Sequence, residues 1–370
     1  VSPFARTDRG LLATWWWTLD RFLLAGFCVL AIAGFIMVLA SSPPVARRLG
    51  LPETQFVLKH GLFLLPAVVL LLGTSLLAPR GVLRLATGMF GIFGVLLLFT
   101  PLLGPEIKGA TRWLPLGGVL LQPSEFVKPA LAVLVGYVLA RREGLGGLPQ
   151  ALALALPVLG LLVAQPDLGM SALVVATVAV QLFVAGLPWL VMSVLGALAI
   201  GGSLAAYSVF DHVRARVDAF LDPELTPYQV EAALRAFGNG GLFGVGPGQG
   251  VVKYHLPEAH GDFVFATLGE EFGIVACLLV LLLFLVLVLR ALARLHASDD
   301  RFVVFAGSGL LAQFALQALV NMGVNLALLP TKGMTLPFLS YGGSSLLALA
   351  IGAGMLLALT RRGARLGEGP

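Results

Sequence analysis

The segment Pro257-Glu258-Ala259-His260-Gly261-Asp262-Phe263 gathers carboxylates and an imidazole directly before an apolar run. Asp262 stands where that run begins, and two readings fit it. An aspartate before an apolar run is a common helix N-cap. A carboxylate near the positive end of a helix dipole is also held ionised for catalysis or ligand binding. His255, Glu258, His260 and Asp262 put four oxygen or imidazole donors within eight residues. Neither HExxH nor a cysteine pair accompanies them, so a dedicated zinc site is not expected. One or two of these carboxylates, together with a substrate phosphate, would suit a loosely held Mg²⁺ or Mn²⁺.

A second group is Lys108-Gly-Ala-Thr-Arg112-Trp113, followed by Gln122-Pro123-Ser124-Glu125-Phe126-Val127-Lys128. Pro123 suits a first helical turn, which puts Glu125 and Lys128 on one helix face. Both fall inside an apolar run, where charges face one another or a cavity. They form either a mutually neutralising pair that fixes packing or the lining of a polar cavity. Arg112 and Trp113 read equally as an interfacial anchor. Asp167, in Gln165-Pro166-Asp167-Leu168-Gly169, reads as a cap for the following helix. Lys332, in Leu329-Pro330-Thr331-Lys332-Gly333, is a point charge able to bind phosphate, or a snorkelling lysine. Ser340 opens Ser340-Tyr341-Gly342-Gly343-Ser344-Ser345, whose small residues suit close helix approach. The glycine-rich stretch from Phe237 to Gly250 is followed by no GK[ST], which argues against a nucleotide loop. It reads as a flexible segment or one whose backbone approaches a neighbour closely.

The elements that must position these groups are membrane helices. Of the 370 residues, 58% are hydrophobic and 12% charged, against roughly 25% charged in a soluble domain. Apolar runs at 22–40, 57–78, 82–103, 123–140, 148–165, 168–186, 188–209, 263–289, 302–328 and 340–360 each approach the roughly 20 residues that a spanning helix needs. The expected architecture is all-α: a polytopic membrane protein of ten transmembrane helices, with a large extracytoplasmic loop at 210–262 between the seventh and eighth. Breaks such as Ser42-Pro43-Pro44 and Gly186-Leu187-Pro188 separate the runs. Within the long loop, Val213, Val217, Phe220 and Leu221 share one helical face, as in an amphipathic helix lying on a membrane. Phe22 to Ala40 is too long for a signal-peptide core and reads as the first span.

The net charge of +5 does not point to nucleic acid, because the basic residues flank apolar runs and form no binding module. Arginines such as Arg21, Arg80, Arg84, Arg290, Arg294 and Arg361 fall on the side that carries both termini, which the positive-inside rule makes cytoplasmic. The acidic long loop and the segments at 104–122 and 329–340 then face outward together. Cys28 and Cys277 lie in separate apolar runs and offer no disulfide framework.

Six blocks, taken together, resemble the SEDS family (shape, elongation, division and sporulation), which includes FtsW and RodA. They are Gly109-Ala-Thr-Arg-Trp-Leu, Gln122-Pro-Ser-Glu-Phe, Gln165-Pro-Asp-Leu-Gly, Pro257-Glu-Ala-His-Gly-Asp-Phe, Leu329-Pro-Thr-Lys-Gly and Leu339-Ser-Tyr-Gly-Gly-Ser-Ser. They occur in the family's order across residues 20–360, so the whole chain reads as one SEDS-type domain. Leu-Pro-Thr-Lys-Gly-Met-Thr-Leu-Pro and Pro-Glu-Ala-His look more like the FtsW division branch than RodA. Gly261, where that branch is expected to carry threonine, and the short tail are small departures.

The resemblance implies a peptidoglycan glycosyltransferase of the bacterial cytoplasmic membrane, polymerising lipid II at the outer face in division or cell-shape maintenance. Transfer would invert the donor's anomeric carbon and release undecaprenyl diphosphate. The family's essential aspartate falls on Asp262 and its Glu/Lys pair on Glu125 and Lys128. Asp262 is then the expected catalytic residue. Arg112, Lys128 or Lys332 would hold the diphosphate, with or without a divalent ion, and Glu125 would orient Lys128. Glu258, His260, Asp167 and Ser340 complete the candidate substrate-binding set. The implied partners are a class B penicillin-binding protein and other division or elongation proteins. A lipid II flippase and a non-catalytic division scaffold are the competing readings.

Overall fold

A computed structural model describes residues 10–107, 109–222, 227–331 and 333–366. Lys108 and Lys332 lie outside the described residues. A short helix, α1 (Leu11–Thr18), precedes α2 (Arg21–Arg48), α3 (Gln55–Ser75) and α4 (Pro79–Leu103). A two-stranded hairpin follows, β1 (Leu114–Leu116) and β2 (Val119–Leu121), then α5 (Pro123–Arg141), α6 (Leu148–Ala164), α7 (Leu168–Val184) and α8 (Trp189–Val209). The long connection carries α9 (Asp211–Leu221) and α10 (Tyr228–Gly240) before α11 (Val264–His296), α12 (Arg301–Asn325) and α13 (Gly343–Leu359).

A helix coincides with each expected apolar run. Among the described residues, eight are long and apolar enough to cross a membrane, α6 when the 3-10 turn Gly144–Gly147 that leads into it is included, while α7 and α13 have 17 residues each. At 1.5 Å per residue these two reach about 25 Å, somewhat short of a hydrocarbon core of about 30 Å.

The helices at the centre are not the most apolar ones. The apolar windows of α5 and α12 are 78% and 72% buried, whereas that of the uncharged α8 buries nothing. Lipid tails solvate leucine as well as another helix does, so polar and small residues decide which helices go inside. Glu125, Lys128, Gln313, Gln317, Asn321 and Asn325 are all buried on these two central helices. Gly136 lets α5 lie directly against the α12 backbone at Ala306, where any Cβ would collide.

One end of the bundle holds both described termini. Asp20 caps α2 through the amides of Phe22 and Leu23 and pairs with Arg290 at 2.9 Å and Arg294 at 2.6 Å. Arg361 donates to Thr18 Oγ1 at 3.0 Å, and Arg80 donates to the Leu366 carbonyl at 2.8 Å.

Several expectations need correction. Ser42-Pro43-Pro44 does not end the first span, because α2 runs through both prolines to Arg48. Proline inside a membrane helix is tolerated when a neighbour takes up the freed carbonyl, and here Lys253 Nζ donates to the Ala40 carbonyl at 2.8 Å. The hairpin was not anticipated. Its signal is Gly117-Gly118, with φ of 57° and 82°, the two-residue turn that strand twist favours. The long loop is also more ordered than its composition implies. α9 forms where the amphipathic pattern predicts it, but α10 buries Val230, Ala233 and Ala236 at helical spacing against α11.

The glycine-rich stretch is a backbone-approach loop. Gly273 breaks α11 with φ 81° and ψ 176°. The groups this opens are taken up by the loop: Ile274 N–H and Val275 N–H donate to the Gly241 and Leu242 carbonyls at 2.9 and 3.1 Å. Val245 N–H and Gly246 N–H donate to the Glu270 and Glu271 carbonyls, both at 3.0 Å.

Candidate active site

The loops that carry the sequence candidates meet at the end of the bundle opposite the termini. Asp262 is half-buried there. It is not the cap of α11: the N-cap position is Phe263, and the helix has no side-chain cap. The capping reading gives way because residues 260–263 form turns that hold Asp262 two residues before the helix begins, outside the N-cap position. Its position is set through its backbone. The Asp262 carbonyl accepts from Asn321 Nδ2 and Asn325 Nδ2 of α12, both at 2.9 Å. Asn321 also donates to the Met334 carbonyl at 2.7 Å, and Asn325 Oδ1 accepts from Ala266 N–H at 3.0 Å. Two amides one turn apart thus clamp three chain segments.

Asn321 and Asn325 were missed in the sequence reading, yet their signal is plain. Gln313, Gln317, Asn321 and Asn325 recur every four residues along an apolar helix, which is one polar stripe on one face.

The stripe leads to the buried ion pair. Lys128 Nζ lies 2.8 Å from Glu125 Oε2, with side chains 2% and 5% exposed, and 3.3 Å from both Gln317 Oε1 and Met170 Sδ. Gln317 Nε2 donates to the Thr335 carbonyl at 3.0 Å, and Thr335 Oγ1 shares a 2.8 Å hydrogen bond with Ser345 Oγ. A polar ladder therefore runs from Glu125 and Lys128 along α12 to the 334–335 segment and Asp262. A small cavity borders the pair, lined by Glu125, Lys128, Gln313 and Gln317 together with Phe27 and Leu356. Glu125 and Lys128 are therefore a mutually neutralising pair, and the cavity beside them is lined mostly by apolar side chains.

Other candidates are committed to local structure. Arg112 donates to the Pro166 carbonyl at 2.6 Å, and its Nε lies 3.6 Å from Asp167 Oδ2. Asp167 caps α7, accepting from Met170 N–H at 3.3 Å. Ser340 Oγ donates to the Gly261 carbonyl at 2.7 Å and accepts from Leu336 N–H at 2.8 Å, which joins the 336–341 turn to the residue before Asp262. Glu258 adopts φ 54°, and its carbonyl accepts from Gly261 N–H at 2.8 Å. A Cβ on Gly333 would lie 3.2 Å from Asp262 Oδ2, so the residue that follows Lys332 rests against the carboxylate. Among the described residues, no group of three or more His, Cys, Asp or Glu side chains is arranged to hold a metal.

His260 is buried between Phe56 and Tyr341, with ring centroids at 4.6 and 4.9 Å. Burial, with a further contribution from nearby His60, pushes its pKa down from 6.5 to about 4, so the ring is neutral at neutral pH. Between these two values the unfolded chain binds more protons than the folded one, so stability falls as pH drops from 6.5 towards 4. Thermal unfolding in detergent across that range is expected to show this decline. His260→Phe, which keeps an aromatic ring in the stack, is expected to make the decline shallower. An unchanged slope would mean that the imidazole is solvated.

The fold and this site define a class: a polytopic membrane protein, helical apart from one short hairpin, whose central buried charges and amides lead to one carboxylate-bearing loop. The chain belongs to the FtsW/RodA/SpoVE family, described as cell cycle proteins, whose profile matches residues 20–364. A "probable peptidoglycan glycosyltransferase FtsW" of Caulobacter vibrioides is 42% identical over 338 residues, covering 90% of this chain and 87% of that protein. One of the same description from Escherichia coli O6:H1 is 36% identical over 328 residues, covering 85% and 79%. Among solved structures, Thermus thermophilus rod shape determining protein RodA aligns with TM-score 0.70 at 30% identity over 93% of this chain and 97% of its own. A chain described under structural coordination of polymerization and crosslinking by a peptidoglycan synthase complex gives TM-score 0.77 at 30% identity, over 93% and 98%. The SEDS resemblance and its FtsW-like character agree with these relatives.

Proposed function

We propose that this protein is a peptidoglycan glycosyltransferase that polymerises lipid II into glycan strands, with Asp262 as its general base. The carrying observation is that Asp262 is fixed through its backbone by Asn321 and Asn325 while its carboxylate is not used to cap α11. The acceptor's GlcNAc 4-hydroxyl attacks the donor's anomeric carbon. That C–O bond forms as the bond to the lipid diphosphate breaks, with inversion, and the hydroxyl proton passes to Asp262. The leaving diphosphate needs positive charge. Arg112 and Lys128 each face a carboxylate, so Lys332, next to the Gly333 that rests against Asp262, is the expected cation. Glu258 would offer a carboxylate to a divalent ion, which when bound would supply further positive charge to the diphosphate. The arginines around the termini support cytoplasmic termini and an extracytoplasmic active face. The synthase-complex neighbour supports a class B penicillin-binding protein as partner.

The test gives lipid II to the purified full chain and its partner in liposomes. Glycan polymer is the expected product. A parallel assay in sealed vesicles follows lipid translocation. Translocation without polymer would replace this reading with a flippase, and neither activity would leave a scaffold.

A further inference from the structure

We propose that Lys253 is a positioning residue for glycosyl transfer, closing the proline defect in α2 while pairing with Glu271 beside the break in α11, and thereby seating the loop that bears Asp262. The inference rests on the reading of Asp262 as the base.

The first defect is in α2. Pro44 has no N–H, so the carbonyl four residues earlier, at Ala40, loses its helical donor. An unpaired carbonyl inside a membrane protein is costly. Lys253 Nζ supplies the donor at 2.8 Å. The second defect is the break in α11 at Gly273. Glu271 stands two residues before it, fully buried, and its carboxylate forms a hydrogen-bonded ion pair with the same Lys253 ammonium. One buried cation thus joins α2, α11 and the loop. A charge pair at such depth is tolerated only when its remaining hydrogen-bonding capacity is met. Here Glu271 Oε2 also accepts from Gly248 N–H at 3.1 Å, and Lys253 faces the Tyr254 ring at 5.8 Å.

The loop backbone is gathered at the same point. Glu270 is fully buried and accepts from Val251 N–H and Val252 N–H at 2.7 Å, Lys253 N–H at 3.0 Å and Asn239 Nδ2 at 2.9 Å. Gly250 is required for this, since a Cβ there would sit 2.8 Å from Glu270 Oε2. Arg48 adds a tie from α2, donating to the Tyr254 carbonyl at 2.6 Å. Leu256, Ala259 and Phe263 then pack into one buried cluster with Val45. Asp262 lies nine residues from Lys253 in sequence, and these contacts seat Tyr254, Leu256 and Ala259 between them and Phe263 just beyond. Lys253 carries no expected contact with substrate. Its effect falls on how accurately the base is held, and small misplacements of a reacting group cost rate more than affinity.

The experiment compares Lys253→Met with the wild-type full chain in the lipid II polymerisation assay. Turnover at saturating lipid II is expected to fall by roughly ten- to hundredfold, with KM changed less than about twofold. Backbone amide exchange should accelerate at residues 245–253 but not across α5 and α12. In a Pro44→Ala background the Ala40 carbonyl regains a helical donor, so Lys253→Met should lower the thermal midpoint less than it does in the wild type. If Lys253→Met does not fold, Glu271→Gln, which keeps shape and an acceptor, carries the same turnover and exchange measurements. Wild-type turnover with unchanged exchange overturns the proposal, and so does an equal loss of protection throughout the chain. If Asp262→Asn is inactive while Lys253→Met is fully active, the positioning role alone fails. If Asp262→Asn is active, the base assignment fails, and the exchange data still judge the clamp.

Discussion

Asp262→Asn is expected to lower glycan polymerisation by roughly 10²–10⁴-fold, the usual contribution of a general base, without unfolding the protein. Asparagine keeps the size of the side chain and would cap a helix as well as aspartate does. The contacts that hold the residue, from Asn321 and Asn325, go to its backbone carbonyl and survive the change. Loss of activity with an unchanged thermal midpoint would therefore isolate the proton-accepting role. The measurement is polymer formed from lipid II by the purified variant with its partner, beside thermal unfolding in the same detergent. An Asn variant that polymerises at the wild-type rate would remove Asp262 from the chemistry and send the search for a base to Glu258.

Lys128→Met has the second large expected effect. Glu125 and Lys128 neutralise one another at 2.8 Å, almost fully buried. Removing the lysine leaves a carboxylate uncompensated, which costs about 3–5 kcal/mol. It also takes the donor from Gln317 Oε1, and Gln317 is the side chain that holds Thr335. Lower stability and lower polymerisation are both expected. The double variant Glu125→Gln/Lys128→Met carries no buried charge and should regain most of the stability. Its activity should stay low if the pair also serves the site. Thermal unfolding of the two single variants and the double variant checks this. A single-variant cost below about 1 kcal/mol would show the pair to be solvated.

The two outcomes bear on different parts of the ladder that links α5, α12 and the loop end. If the double variant is stable and active, the buried pair is a packing device, and Asp262 works without it. If it is stable and inactive, the ladder transmits position from the bundle centre to the loop.

How much of this was legible in the sequence depends on how local the physics is. Transfer of a segment into lipid is close to a sum over its own residues, so the helices sit where the apolar runs predict them, within a few residues at most ends. The Glu125–Lys128 pair was legible because three residues on a helix fix a shared face. The α7 cap at Asp167 was legible because a cap is made within one turn. The family blocks added the expected base. The amide stripe on α12 and the Gly117-Gly118 turn were also written in the sequence, as a spacing of four and as a paired glycine, and went unread.

What only the tertiary structure decided are partners far apart in the chain. Lys128 meets Gln317 across 189 residues, and Lys253 meets Ala40 across 213. No window of sequence shows that Pro44 leaves α2 unbroken, because the donor that rescues it comes from a different loop. Nor does the local pattern show that Asp262 is no cap, since its backbone is claimed by two asparagines of another helix. In lipid the apolar surfaces of helices are nearly interchangeable, so their composition determines that they insert and leaves open which ones meet. The buried polar groups, each needing a partner where water is absent, make that choice, and in doing so they bring Asp262 to the 333–341 segment.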